Sequence, residues 1–294
     1  MESLMSEQVK GNGFGPDLQR VLRALAITLN SLHKRCRFHG NIDEASLFDN
    51  IIVNRNGVEL KTQSRASMMN PYSGMLKDLK GFIDLIKYIG DKHKPNGMSL
   101  PIEYNQFLDL INEFQSLLNQ TNLEPRMYGD FREAEFWIFS FPVFLTPHEK
   151  CEYIEKVWSI KREYEDIFNR VKLSEDPYWL TSITNQKFLE TARRATNPVT
   201  RYCKYHNNPT GRFQYFHYSI DRSGESGELP NTAAQYFHDT FPYAFGEMHI
   251  ALYKYLPENG PDGIRTLVIR EFDASFVGIW GLARARSHKE IICS

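Results

Sequence analysis

Cysteine is scarce in this chain: four in 294 residues, Cys36, Cys151, Cys203 and Cys293, with no CxxC or CxxH spacing among them. That argues against a disulfide framework and a structural zinc site, and it suits a reducing compartment. An excess of charge is also missing. Basic residues number 35 and acidic ones 36, a formal net charge of −1, so any nucleic-acid footprint has to be local. No apolar run approaches the roughly 18 residues of a membrane span. The N-terminal MESLMSEQVK has no apolar core of signal-peptide length. These absences lead to the expectation of a soluble cytoplasmic or nuclear protein, and there is no internal repeat or low-complexity tract.

What is present is ordinary globular material, 41% hydrophobic and 24% charged, in a length that suits two medium domains or one large one. Residues 1–16 are polar and glycine-rich, ending GNGFGP, and read as a flexible lead-in. Leu18, Val21, Leu22, Leu25, Leu29 and Leu32 recur at helical spacing and predict a buried helix. NIIVNRNGVELKT alternates around Asn56-Gly57, a hairpin signal. LKDLKGFIDLIKYIGDKH predicts an amphipathic helix closed by Gly90, and EYNQFLDLINEFQSLLNQ another. FREAEFWIFSFPVFLTP reads as an aromatic-rich, proline-broken connection into a helix from about Pro147, where Thr146 and Glu149 fit a capping box. LPNTAAQYFHDTFPYAFGEMHIALYKYL closes the helical part, with Tyr236, Phe237, Phe241 and Phe245 expected in the core. GIRTLVIREF reads as strand-like, and a basic tail follows.

The order helix, FHGN, NIIV, Asn-Gly turn, VELK and large amphipathic helix resembles the C-terminal lobe of the protein-kinase fold over residues 17–145. In kinases that loop carries a base aspartate, a metal-binding asparagine and, further on, the D-F-G metal ligand. Here His39 is followed by Asn41 at the aspartate position. The asparagine falls on Asn50, or ungapped on Ser46, and Lys61-Thr62-Gln63-Ser64 stands where D-F-G would. Only 38 residues precede His39, too few for a nucleotide-binding N-terminal lobe, and Gly11, Gly13 and Gly15 read as linker. The loop is therefore expected to be a degenerate scaffold, a pseudokinase with no ATP or other cofactor.

Beyond residue 145 the chain resembles the kinase-extension nucleases, the KEN family of unfolded-protein sensor kinase/endoribonucleases and ribonuclease L. Phe141, Pro142, Val143, Phe144 and Leu145 match the family's aromatic junction. Leu229-Pro230, Tyr236-Phe237 and Phe241-Pro242 match its closing pattern. The resemblance implies a mainly α fold: a degenerate kinase C-lobe (17–145), an all-helical nuclease domain (146–256) and an extension of unassigned role (257–294). It also implies an active-site helix in which Arg201, Tyr202 and His206 fill the family's positions. There the RNA 2′-hydroxyl attacks its own phosphodiester without metal, leaving a 2′,3′-cyclic phosphate. His206 would protonate the departing oxygen and Arg201 would stabilise phosphorane charge. The chain departs from the family where Tyr202 replaces asparagine and Phe188 falls in the tyrosine's place, Tyr178 lying ten residues upstream.

Local chemistry points to the same region. Asn197 and Pro198 predict a helix start, and Tyr202 and His206, four apart, share a face. Between Lys187 and Arg222 stand seven basic residues (Lys187, Arg193, Arg194, Arg201, Lys204, Arg212 and Arg222) against Glu190 and Asp221, a local excess of five. Lys204, Arg193, Arg194, Arg212 and Tyr205 are the expected RNA contacts. Phe213, Tyr215 and Phe216 are further candidates for stacking on single-stranded or stem-loop RNA. His217, His238 and His249 are too far apart in sequence to suggest a metal site. Three classes of function stay open: a KEN-type endoribonuclease, a decayed relative that binds RNA or dimerises with itself or a full-length family member, and a helical interaction protein.

Overall fold

The computed structural model describes residues 9–10, 13–40, 42, 51–54, 57–61, 70–92, 102–163, 183, 209–227 and 229–255. These residues are mainly helical, as expected. Helix α1 (Pro16–His33) begins with proline in its first turn and Asp17 beside it, and ends on His33, charges that suit the two ends of the helix dipole. Its buried stripe runs Leu18, Leu22, Leu25, Ala26, Leu29 and His33. Strands β1 (Val9–Lys10) and β2 (Gly13–Phe14) form a short antiparallel ladder, and Phe14 is buried edge-on to Tyr104. The expected lead-in therefore stops short of residue 16, because an aromatic side chain finds a core position there.

Strands β3 (Ile51–Asn54) and β4 (Gly57–Leu60) pair antiparallel, with Asn54 opposite Gly57. The hairpin stands where expected, one residue earlier in register than a turn centred on Asn56-Gly57. Helix α2 (Pro71–Lys92) runs straight through Gly90. That glycine is buried with the Tyr104 ring where a side chain would sit, so it serves close packing and not termination. Helix α3 (Ile102–Glu113) breaks at Phe114 and resumes as the short α4 (Gln115–Leu118). The segment expected as an irregular connection is, in its first half, helix α5 (Tyr128–Phe139). Its aromatic density hid the helical period; Phe131, Ala134, Glu135, Trp137 and Ile138 are all buried.

The 3₁₀ turn Pro142–Phe144 is entirely buried. Phe141 and Phe144 both meet Phe107 edge-on, and Phe144 and Phe139 meet Phe82, contacts worth about 0.5–1.5 kcal/mol each beyond simple burial. Gln19 Nε2 donates to the Val143 carbonyl (3.2 Å) and Arg23 Nη1 to that of Phe139 (2.8 Å), so α1 satisfies the junction's backbone. Helix α6 (Pro147–Glu163) starts with the expected capping box: the Thr146 amide donates to Glu149 (2.9 Å) and the Glu149 amide to Thr146 Oγ1 (3.4 Å).

Helices α7 (Pro209–Asp221), α8 (Ser223–Ser226) and α9 (Pro230–Thr240) complete a bundle with α6, while α10 (Ala244–Tyr255) lies against α3. Phe237, Phe241 and Phe245 are buried as expected, with Tyr236 half-buried. The buried core is continuous across residue 145. His249 shows why: its Nε2–H donates to the Trp137 carbonyl (2.9 Å), its ring lies against Trp137 and Phe141, and burial pulls its pKa down to about 4. It is a neutral core histidine.

Two glycine substitutions test the packing. A Cβ on Gly81 would run into the Ile42 carbonyl, whereas one on the exposed Gly129 meets nothing. Gly81→Ala is expected to lower unfolding free energy by about 1–3 kcal/mol. Gly129→Ala is expected to raise it by up to about 1 kcal/mol, both read by urea denaturation.

Candidate functional site

The expected catalytic residues Arg201, Tyr202 and His206 lie outside the described residues, as do Arg193, Arg194, Lys204, Tyr205, Tyr178 and Phe188. So do Asn41, Asn50, Ser46 and the segment after Lys61. What can be built from the residues upward is the FHG loop and the chain that follows the expected site helix.

The loop rests on α2. Gly74, Asp78 and Gly81 lie at spacings of four and three and therefore share one helix face. Gly74 admits the Phe38 ring and Gly81 the Ile42 carbonyl, each in space that a Cβ would occupy. Between them, Asp78 accepts the His39 amide on Oδ2 (2.6 Å) and the Gly40 amide on Oδ1 (2.7 Å). Gly40 has φ +78°, a left-handed conformation that suits glycine at this bend. His39 sends Nε2 to the Lys61 carbonyl (2.8 Å), tying the loop to the end of β4.

Asp78 is fully buried, and its charge is answered from the other side. His33 Nε2 stands 3.3 Å from Asp78 Oδ2, and His33 Nδ1 bonds Glu135 Oε1. Glu135 pairs in turn with Arg132, whose Nη2 reaches Asn30 (2.7 Å). Burial opposes a charge on His33, but the Glu135 carboxylate and the hydrogen bonds with Asp78 and Glu135 outweigh it, so its pKa is raised. The His33 ring thus lies between two carboxylates, and Glu135 lies between that ring and the Arg132 guanidinium. None of these residues was singled out from the sequence, although two glycines seven apart inside a strongly periodic helix, each costing up to about 1 kcal/mol against alanine, were a signal.

A second buried ionic group joins α3, α6 and α9. Lys150 Nζ lies 2.9 and 3.1 Å from the Glu103 oxygens and 2.8 Å from His238 Nδ1. Burial opposes the Glu103 charge, but the Lys150 ammonium and His238 prevail and hold that carboxyl below its usual range. Nearby, Glu149 pairs with Arg23 of α1 (3.4 Å). His217 is occupied by Glu155 (2.8 Å) and stacks on Trp158 at 4.7 Å.

The expected RNA-binding surface changes where it can be followed. Arg212 is 1% exposed, and Phe213, Tyr215 and Phe216 are buried among Phe237, Phe241 and Phe245. These four residues are interior and are not a platform for stacked bases; the bundle takes their surface for its core. Arg222 stays partly open, over the Tyr218 ring at 5.6 Å.

Among the described residues no cluster of His, Cys, Asp and Glu is arranged to hold a metal, and no helix is long and apolar enough to cross a membrane. No family model, curated protein or solved structure matches the chain.

Removing the Asp78 carboxylate leaves His33 and two loop amides without their acceptor. Asp78→Ala is expected to cost about 3–5 kcal/mol in equilibrium unfolding, and a loss below about 1 kcal/mol would refute the central role given to it. Because the His33 pKa is raised on folding, its contribution is complete below the unfolded value near 6.5 and is lost as pH climbs through the folded value. Unfolding free energy followed from pH 6 upward should show this decline in the wild type, and His33→Leu should lack it.

Proposed function

We propose that the chain is a metal-independent, KEN-type endoribonuclease carried on a kinase-like scaffold that transfers no phosphate. The observation that carries the reading is the junction. The aromatic run Phe141–Leu145 is wedged whole between α1, α3 and α10, so a helical bundle is fixed directly to the helices bearing the FHG loop. That is the arrangement a nuclease extension on a kinase lobe requires. Supporting it are the Leu229-Pro230, Tyr236-Phe237 and Phe241-Pro242 landmarks in order, and the Arg201–His206 spacing. On the scaffold side, the loop amides are spent on Asp78 and the His39 ring on the Lys61 carbonyl, and Asn41 leaves no base. RNA is the substrate, and assembly is by a homodimer or by pairing with a full-length relative.

The mechanism follows from ordinary acid–base chemistry. The 2′-hydroxyl gives its proton to water as it bonds to the adjacent phosphorus, the P–O5′ bond breaks with the 5′-oxygen taking a proton from His206, and Arg201 balances the charge of the phosphorane. A second reading, a decayed nuclease kept for binding or dimerisation, is favoured by Tyr202, Phe188 and the burial of Arg212, Phe213, Tyr215 and Phe216.

The test is cleavage of single-stranded and stem-loop RNA in EDTA over a range of protein concentrations. Wild type should cut, leaving 2′,3′-cyclic phosphate ends, with a rate that rises steeply with concentration. His206→Ala should lose about 10²–10⁴-fold. Folded wild-type protein that never cuts would sink the nuclease reading and leave the second.

A further inference from the structure

Arg212 sits in the first turn of α7 with its side chain enclosed at 1% exposure. Among the described residues none of its three guanidinium nitrogens, Nε, Nη1 or Nη2, has a hydrogen-bond partner. Its guanidinium lies over the face of Tyr243, 5.1 Å from the ring centroid. An arginine side chain cannot shed its proton in a protein. A permanent cation with five N–H donors is thus held out of water, and among the described residues it meets an aromatic face and no anion. Cation–π attraction is worth at most a few kcal/mol, less than the cost of stripping a charge of its hydration. The environment compounds the deficit. Side chains of a helix lean toward its N-terminus, the end where the dipole is positive, and the first turn of this 13-residue helix carries no acidic residue. The acid on the helix, Asp221, stands at the opposite end, where it opposes the dipole.

We infer that Arg212 and the first turn of α7 form a binding site for a phosphate group. A phosphate offers several oxygens to the guanidinium fork, carries the charge that the described residues do not supply, and is of the sign a helix N-terminus favours. Tyr243 holds the guanidinium plane from the side. The phosphate is either free or the terminal group of an oligonucleotide. The site does not depend on catalysis at His206.

The experiment is equilibrium dialysis of the full chain against radiolabelled inorganic phosphate at constant ionic strength in chloride. It is run until occupancy stops changing, since an enclosed site exchanges slowly. Wild type should take up one phosphate per chain, saturably. Arg212→Met should bind at least about tenfold more weakly, and Arg212→Lys, which keeps charge and stem but not the fork, should also fall. Should Arg212→Met fail to fold, Arg212→Lys decides. A 3′-phosphorylated trinucleotide that displaces the label where its unphosphorylated form does not assigns the site to RNA ends; displacement by neither assigns it to free phosphate. Wild-type protein that takes up no phosphate, or binding as tight in either variant as in wild type, overturns the proposal.

Discussion

The buried Asp78 carboxylate is the constraint around which the first half of the chain is arranged. A carboxylate with no access to water has to be surrounded by donors, and Asp78 draws them from three places: two amides of the FHG loop and the imidazole of His33. Each donor sets a further requirement. The amides converge only if the loop lies directly on α2, which demands glycine at 74 and 81. The imidazole carries charge only with Glu135 behind it, and Glu135 has Arg132. The loop is thus held on α2 by both amides, and the Asp78 carboxylate ties α1 and α5 to α2 through His33 and Glu135.

The second half is attached by different physics. Aromatic side chains supply the area: Phe107 and Trp137 from the first half, Phe141 and Phe144 from the junction itself, and Tyr153 and His249 from the second half. Ionic groups set the register, through Arg23 with Glu149 and Lys150 with Glu103 and His238. Pairs like these return little net stability once desolvation is counted. A shift of one turn, however, would leave an ion buried without its partner, so they discriminate against misaligned packings. Arg212 breaks this pattern, being enclosed with no anion beside it among the described residues, and so it is read as a place for a ligand.

What was legible beforehand depended on how local its cause was. The α1 stripe, the hairpin pairing Ile51–Asn54 with Gly57–Leu60, and the Thr146–Glu149 box each rest on residues a few positions apart, and they stand where expected. The misreadings share one origin. Gly90 resembles a helix stop, FREAEFWIF an irregular aromatic stretch, and Arg212 with Phe213, Tyr215 and Phe216 a basic-aromatic RNA surface. In each case a partner distant in sequence decided otherwise: Tyr104 for Gly90, the α1 and α10 helices for α5, and α9 with α10 for the aromatic face of α7.

The sequence by itself determined the helical character of the chain and the starts of α1, α3, α6 and α9, because period and capping are properties of short segments. Only the tertiary structure decided which polar residues are spent on the fold and which are left over. His33, Asp78 and Glu135 lie far apart along the chain and become one charged unit only when α1, α2 and α5 meet. Arg212 passed from surface contact to enclosed cation for the same reason. Whether a charge faces water, a partner or nothing is set by what packs over it, and that is information no single stretch of sequence contains.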